Sequence, residues 1–191
     1  MSDPTVRIDP ASLRDTLNLL AAYRQGSQKA LYRSINLGAK KGRKAAVDGM
    51  AQKANLTKKR IREKTSVYFA SLSGMSAKVV IKGGSTPLIH FGARQTKKGV
   101  TFKLWKDEGR ERYRHSFIAK LGTAGTKGVY ERDIGNPQYD GRTPLRAKSG
   151  PAVPVIYQKT PGLAQKAEET AAEAMLKELD RQVGLINRGL L

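Results

Sequence analysis

The sequence predicts an α+β fold, and three observations carry that expectation. Apolar residues recur with a helical period at both ends of the chain, they alternate with a period of two between them, and glycine- and proline-rich turns separate the alternating runs. The 191 residues suffice for one domain with a buried core. Its expected parts are a basic helical part over residues 1–64, an antiparallel sheet of about five or six strands over residues 65–158, and a C-terminal helix over residues 159–191 packed on that sheet.

The helical part runs from Asp9 to Lys64. Ser12 is expected to cap a first helix carrying Leu13, Leu17 and Leu20 and ending near Gly26, and a longer helix is predicted from Ser27 to about Ala54. On that second helix Lys29, Arg33, Lys40 and Lys44 fall within one narrow arc, flanked by Lys41 and Arg43. Leu31, Ile35, Gly38, Gly42, Ala46 and Gly49 fall on the opposite side, so a basic stripe is expected outward and a small-residue stripe inward. Small residues permit the close approach of another helix. A solvated face of an ordinary amphipathic helix is the competing reading of the stripe. Its continuation into Lys58, Lys59, Arg60 and Arg62 weighs against that reading.

From Thr65 the alternation predicts strands at Val67 to Leu72, Ala77 to Lys82, Leu88 to Phe91 and Val100 to Trp105, with Val100, Phe102 and Leu104 on one face. Two more are expected at Phe117 to Leu121 and Val129 to Arg132, joined by the link from Gly122 to Gly128. Residues Ile134 to Pro151 show no periodicity, and Gly135, Pro137, Gly141, Pro144 and Gly150 follow in quick succession. A loop of that length inside a domain is expected to be functional, disordered or ordered by a partner. Ala152 to Tyr157 reads as an edge strand interrupted by Pro154. Thr160 and Pro161 read as the N-cap and first residue of the last helix, whose apolar face is Leu163, Ala167, Ala171, Ala174 and Met175 and whose end is marked by Gly184.

The formal net charge is +20, and it is unevenly placed. Residues 1–64 hold 15 basic side chains against 5 acidic, residues 65–160 hold 17 against 6, and residues 161–191 hold 4 against 5. Charge of this size attracts polyanions, of which nucleic acids are the first candidate, and the C-terminal segment is excluded from such a surface. Absence of cysteine removes disulfides, thiolate metal sites and Cys nucleophiles together. No signal-peptide-like run follows the N-terminus and no stretch approaches the roughly 20 apolar residues of a membrane span, so a soluble protein with no membrane partner is expected.

Catalytic chemistry finds no foothold. The segment Gly122 to Gly128 lacks the Gly-Lys-Ser/Thr ending of a phosphate-binding loop and reads as a hairpin loop. His90 and His115 stand in no metal-ligand spacing, and neither a metal nor a cofactor is expected. Asp107, Glu108 and Glu111 lie among Lys106, Arg110, Arg112 and Arg114, where salt bridges at a turn account for them. No helix-turn-helix, zinc-finger or RNP pattern supports sequence-specific recognition.

Three stretches carry a family resemblance: Leu88 to Arg94 before the hairpin at Lys97 to Val100, Ser116 to Ile118 leading to Gly128 to Arg132, and Arg142 to Leu145 followed by Gly150 to Pro154. In order and spacing they resemble the minor tail protein Z family of siphophages and prophages, over most of the chain. The resemblance implies a structural, non-enzymatic tail-completion protein, assembled in the bacterial host cytoplasm and placed in the virion at the head-proximal end of the tail. Its implied partners are tail tube, tail terminator or connector proteins, genomic DNA and further copies of itself. A closed ring joins coaxial tubes naturally, and a hexamer is the expected order.

The expected DNA contacts are Lys29, Arg33, Lys40, Lys41, Arg43, Lys44, Lys58, Lys59 and Arg60. The long loop is expected to act as an interface arm through Asn136, Tyr139, Arg142, Pro144 and Arg146. The competing readings are a non-sequence-specific nucleic-acid-binding protein without a virion role and, more remotely, a nuclease. A small head-tail joining protein has a similar build.

Overall fold

The computed structural model describes residues 10–121, 125–132 and 144–188, with side chains from residue 23 onward. Among these residues four helices and ten short strands follow in order: α1 (Pro10–Lys53), α2 (Lys58–Glu63), β1 (Thr65–Tyr68), β2 (Lys78–Ile81), β3 (Ser85–Pro87), β4 (Arg94–Thr96), β5 (Gly99–Phe102), β6 (Glu111–Tyr113), β7 (Ser116–Leu121), β8 (Thr126–Arg132), β9 (Leu145–Ala147), β10 (Ser149–Ala152), α3 (Val153–Gln158) and α4 (Leu163–Asn187). The class is α+β, as expected.

The two predicted N-terminal helices are one. Ser12 lies inside α1, and the helix passes through Gly26 without a break. Gly26 is a packing position rather than a stop: a Cβ there would stand 3.4 Å from the Ile186 side chain of α4. The small residues of the inward stripe do what they predict, whereas Leu31, expected inward with them, is exposed. A Cβ on Gly38 would lie 2.7 Å from the Ala171 carbonyl oxygen, one on Gly42 3.0 Å from the Ala171 Cβ, and one on Gly49 2.3 Å from a Leu163 methyl. These pairs run in opposite directions along the two helices, so α1 and α4 form an antiparallel hairpin, and α4 packs along α1 rather than on the strands.

The strands form four small antiparallel sheets instead of one of five or six strands. β1 pairs with β2, β3 with β10, β5 lies between β4 and β6, and β8 lies between β7 and β9. Leu88 to Phe91, expected as a strand, is a 3-10 turn. Its two ends, Leu88 and Phe91, are both fully buried, which a three-residue turn achieves by placing i and i+3 on one side. Ala152 to Tyr157 is likewise no strand: α3 begins at Val153 with Pro154 in its first turn, and Val153 and Ile156 face the core. Thr160 does not cap α4. Its hydroxyl donates to the Ile156 carbonyl at 2.7 Å and closes α3, while Gly162, in the left-handed region, precedes α4. That last helix continues through Gly184 to Asn187.

The expected loop from Ile134 to Pro151 is shorter than its glycines and prolines imply, because Leu145–Ala147 and Ser149–Ala152 are strands. Residues 134–143 of it lie outside the described residues, as does the link at 122–124.

One apolar cluster joins the helices to the sheets. It draws Val47, Met50 and Ala51 from the end of α1, Ala54 from just beyond it, Ile61 from α2, Phe91, Val100, Phe102 and Val129 from the sheet region, and Ile156 and Leu163 from α3 and α4. Val100 and Phe102 are fully buried with Leu104 packed beside them, the shared face that the alternation predicts. The end of α1 is fastened to this region. Asn55 Nδ2 donates to the Phe91 and Lys103 carbonyls at 3.3 and 3.1 Å, and Ala54 forms a bridge with Trp105. No described helix is long and apolar enough to cross a membrane.

Candidate nucleic-acid interface

α2 is a short helix held by one buried side chain. Ile61 enters the core, and the Thr57 hydroxyl accepts from the Arg60 backbone N–H at the N-terminal end. With Ile61 pointing inward, Lys58 and Arg62, four residues apart, share a face that meets α1. Arg43 of α1 reaches across and donates from Nη2 to the Arg62 carbonyl oxygen at 3.0 Å. A favourable cationic partner for a helix C-terminal carbonyl is thereby supplied by the neighbouring helix.

Between the two helices lies a cleft of about 320 Å³ lined by Lys40, Arg43, Lys44, Lys58 and Arg62, together with Val47 and Asp48. Five cations thus converge against one carboxylate, and that carboxylate is paired with Lys58 at 2.7 Å. The Arg43 Nε is buried without a hydrogen-bond partner among the described residues. A buried donor without an acceptor is costly, and an anion entering the cleft offers one. Beside the cleft, Asn36 clamps the chain at Ala70, accepting from its N–H at 2.7 Å and donating to its carbonyl at 2.9 Å. This holds the half-exposed Phe69 ring 5.3 Å from the Lys40 ammonium.

Of the expected DNA contacts, Lys40, Arg43, Lys44 and Lys58 are brought together here. Lys29 and Arg33 lie upstream on α1, with Lys29 half-buried and Arg33 close enough to α4 to help hold the Glu178 carboxyl down. Lys41 is exposed but does not line the cleft, and Lys59 is exposed beyond it. Arg60 turns away to Glu63 at 3.3 Å and borders a different hollow next to His90. Burial, and then the Arg60 charge, push His90 below the usual imidazole range, against the smaller opposing effect of Glu63. Arg62 is the residue missing from the expected set, although its spacing from Lys58 was sufficient to place the two together.

Among the expected interface residues, Pro144 is half-buried and Arg146 is exposed in β9 opposite Glu131. Asn136, Tyr139 and Arg142 lie outside the described residues. Of the acidic residues Asp107, Glu108 and Glu111, Asp107 forms an ion pair, but with Lys53 of α1 rather than with its sequence neighbours. Hydrogen bonding to Lys53 is also the first cause that lowers the Asp107 carboxyl. Among the described residues no three His, Asp or Glu side chains gather where a metal ion could be held.

No curated protein and no solved structure matches the chain. A family model described as prophage minor tail protein Z matches residues 14–188, almost the whole length, and carries with it the assignment to a phage tail. The protein belongs to the prophage minor tail protein Z family.

Proposed function

We propose that this minor tail protein is a non-enzymatic tail-completion subunit, which assembles into a ring at the head-proximal end of the tail and touches the genome end through the α1–α2 cleft. The observation that carries the reading is the convergence of Lys40, Arg43, Lys44, Lys58 and Arg62 on one cleft with a single carboxylate among them. Such a surface neutralises backbone phosphates without reading bases, which suits a joint through which any genome sequence must pass.

The ring reading is supported by α1 itself. Gly26 meets Ile186, next to the last residue of α4, so among the described residues Pro10–Gln25 extend past the end of α4 for about 24 Å at the helical rise. A lone helix of that length is marginal in water, and a neighbouring subunit is the natural cover. Tyr23, Leu31, Leu176 and Val183 add exposed apolar surface to the same hairpin. A hexamer is the expected order, with tail tube, terminator or connector proteins above and below.

The test is the double variant Lys40→Gln/Lys44→Gln, which keeps helix propensity and removes two charges from the cleft. Duplex binding by the variant is expected to be weaker, with a salt slope shallower by about 0.9 for each phosphate that is no longer neutralised. Particles are expected to assemble but to deliver their genome poorly. Unchanged affinity and slope refute the DNA contact. Failed assembly with DNA binding intact assigns these lysines to an acidic protein neighbour instead.

A further inference from the structure

A second basic hollow, sharing no residue with the α1–α2 cleft, lies where two turns meet. Lys97 and Lys98 form the turn between β4 and β5, and Arg114 and His115 form the turn between β6 and β7. Gly99 lets the turns touch. Its φ is +120°, and a Cβ there would fall 2.1 Å from the Tyr113 carbonyl oxygen, so no other residue fits. Gln95 fastens the first turn to the strand beyond the second, accepting from the Ile118 N–H at 2.8 Å while its amide nitrogen donates to the Gly99 carbonyl at 3.3 Å.

The hollow holds about 520 Å³, within the range of small-ligand sites, and no acidic side chain lines it. Lys97, Lys98 and Arg114 have no carboxylate partner among the described residues, unlike Lys58 in the first cleft. Ser116, which also lines the hollow, is 3% exposed, and its Oγ is buried with no hydrogen-bond partner among the described residues. A buried hydroxyl without a partner is uncommon because it has given up water without a replacement. Here it belongs to a residue that lines the same hollow as Lys97, Lys98 and Arg114. Donors and positive charge with no competing acceptor from a carboxylate describe a receptor for a multiply accepting oxyanion.

We propose that the hollow between the β4–β5 and β6–β7 turns is a phosphate-binding site that takes a backbone phosphodiester of nucleic acid, giving the chain a second point of contact. The proposal rests on the nucleic-acid reading for the source of the phosphate only. Lys97, Lys98 and Arg114 supply charge, and Ser116 supplies a hydroxyl donor, brought to the bound oxygen by rotation of its side chain about χ1.

The experiment titrates the full-length protein with a short mixed-sequence DNA duplex and, separately, with inorganic phosphate, following backbone amide resonances. Three variants accompany the parent: Lys97→Gln/Lys98→Gln, Ser116→Ala and Lys40→Gln/Lys44→Gln. Both probes are expected to shift the amides of residues 97–99 and 114–116. Lys97→Gln/Lys98→Gln should make the duplex salt slope shallower by about 1 to 2, at about 0.9 per phosphate, independently of any change in the Lys40/Lys44 variant. Ser116→Ala removes no charge and separates a built site from a general field. It should fold at least as stably as the parent yet bind inorganic phosphate about tenfold more weakly.

Shifts with inorganic phosphate alone support the site with free phosphate as its source. Shifts with neither probe, or unchanged phosphate binding in both Ser116→Ala and Lys97→Gln/Lys98→Gln, overturn it. Failure of the α1–α2 reading has a different signature: an unchanged slope in Lys40→Gln/Lys44→Gln.

Discussion

Replacing Gly38 with alanine tests the contact on which the helical hairpin depends. The new methyl carbon would stand 2.7 Å from the Ala171 carbonyl oxygen and 3.0 Å from the Met175 Cβ, both far inside the roughly 3.5–4.0 Å at which such atoms attract. The first obstacle is backbone, which retreats only if α4 moves away from α1. The upper half of the usual overpacking cost therefore applies, about 2–3 kcal/mol. Alanine recovers about 1 kcal/mol over glycine inside a helix, leaving a net destabilisation of about 1–2 kcal/mol.

Gly184 of α4 provides the matched control, since a Cβ there meets nothing within 4 Å. Gly184→Ala should gain the propensity term alone, about 1 kcal/mol. For a chain of this size each kcal/mol moves the melting temperature by roughly 2–4 °C. Thermal unfolding should thus place Gly38→Ala several degrees below the parent and Gly184→Ala a few degrees above it. Gly49→Ala should fall between them, because its obstacle is the end of the Leu163 side chain, which can rotate. A Gly38→Ala protein that melts at or above the parent refutes the close approach of α1 and α4.

Two further outcomes concern charge and chemistry. Hydrogen bonds from Arg181 and then from Gln182 hold the Glu178 carboxyl at about 2, below its ordinary value of 4.5. Its stabilising contribution is complete above 4.5 and is lost as pH falls from there toward 2, so Glu178→Gln should be less stable at neutral pH and lose less on acidification. Urea midpoints across that window check this, and parallel curves for variant and parent refute it. The purified protein, given Mg²⁺ or Mn²⁺, should leave plasmid DNA uncut; metal-dependent nicking abolished by one carboxylate substitution refutes the non-enzymatic reading.

That α1 offers a close-packing face to another helix was legible because it depends on periodicity; that the other helix is α4 was not, since α4 was expected on the sheet. Gly38, Gly42 and Gly49 recur at helical spacing opposite the basic arc, and periodicity is the one signal that survives without knowledge of the partner. The misreadings share a different cause. Gly26 and Gly184 read as stops because glycine weakens a lone helix by about 1 kcal/mol, an amount that packing easily overrides. Leu88 to Phe91 and Val153 to Ile156 are short apolar runs in which strand and helix patterns look alike, and only burial of residues three apart identifies the turn. In the basic cleft, Lys40, Arg43 and Lys44 of α1 and Lys58 of α2 were visible as charges, but Arg43 reaching the Arg62 carbonyl is tertiary geometry. The hollow at Lys97 and Arg114 was invisible for the same reason, since seventeen positions separate the two turns that Gly99 brings into contact.

The packing that builds the hairpin also sorts the charge. Because α4 approaches α1 closely, the face it covers must be small, and the long cationic side chains of α1 are left to the uncovered side. α4 itself carries almost balanced charge and so removes little of the field. The ion pairs among the described residues are surface pairs, each contributing about 0–1 kcal/mol, and of these only the one between Lys58 and Asp48 involves the cleft. Stability must then come from the apolar cluster around Met50, Phe91 and Phe102, while the cationic surface opposes compaction through self-repulsion. A polyanion laid along that surface reverses the sign of this term. It turns the repulsion that weakens the free chain into an attraction, and it does so only where phosphates come within about 10 Å, the screening distance at ordinary salt.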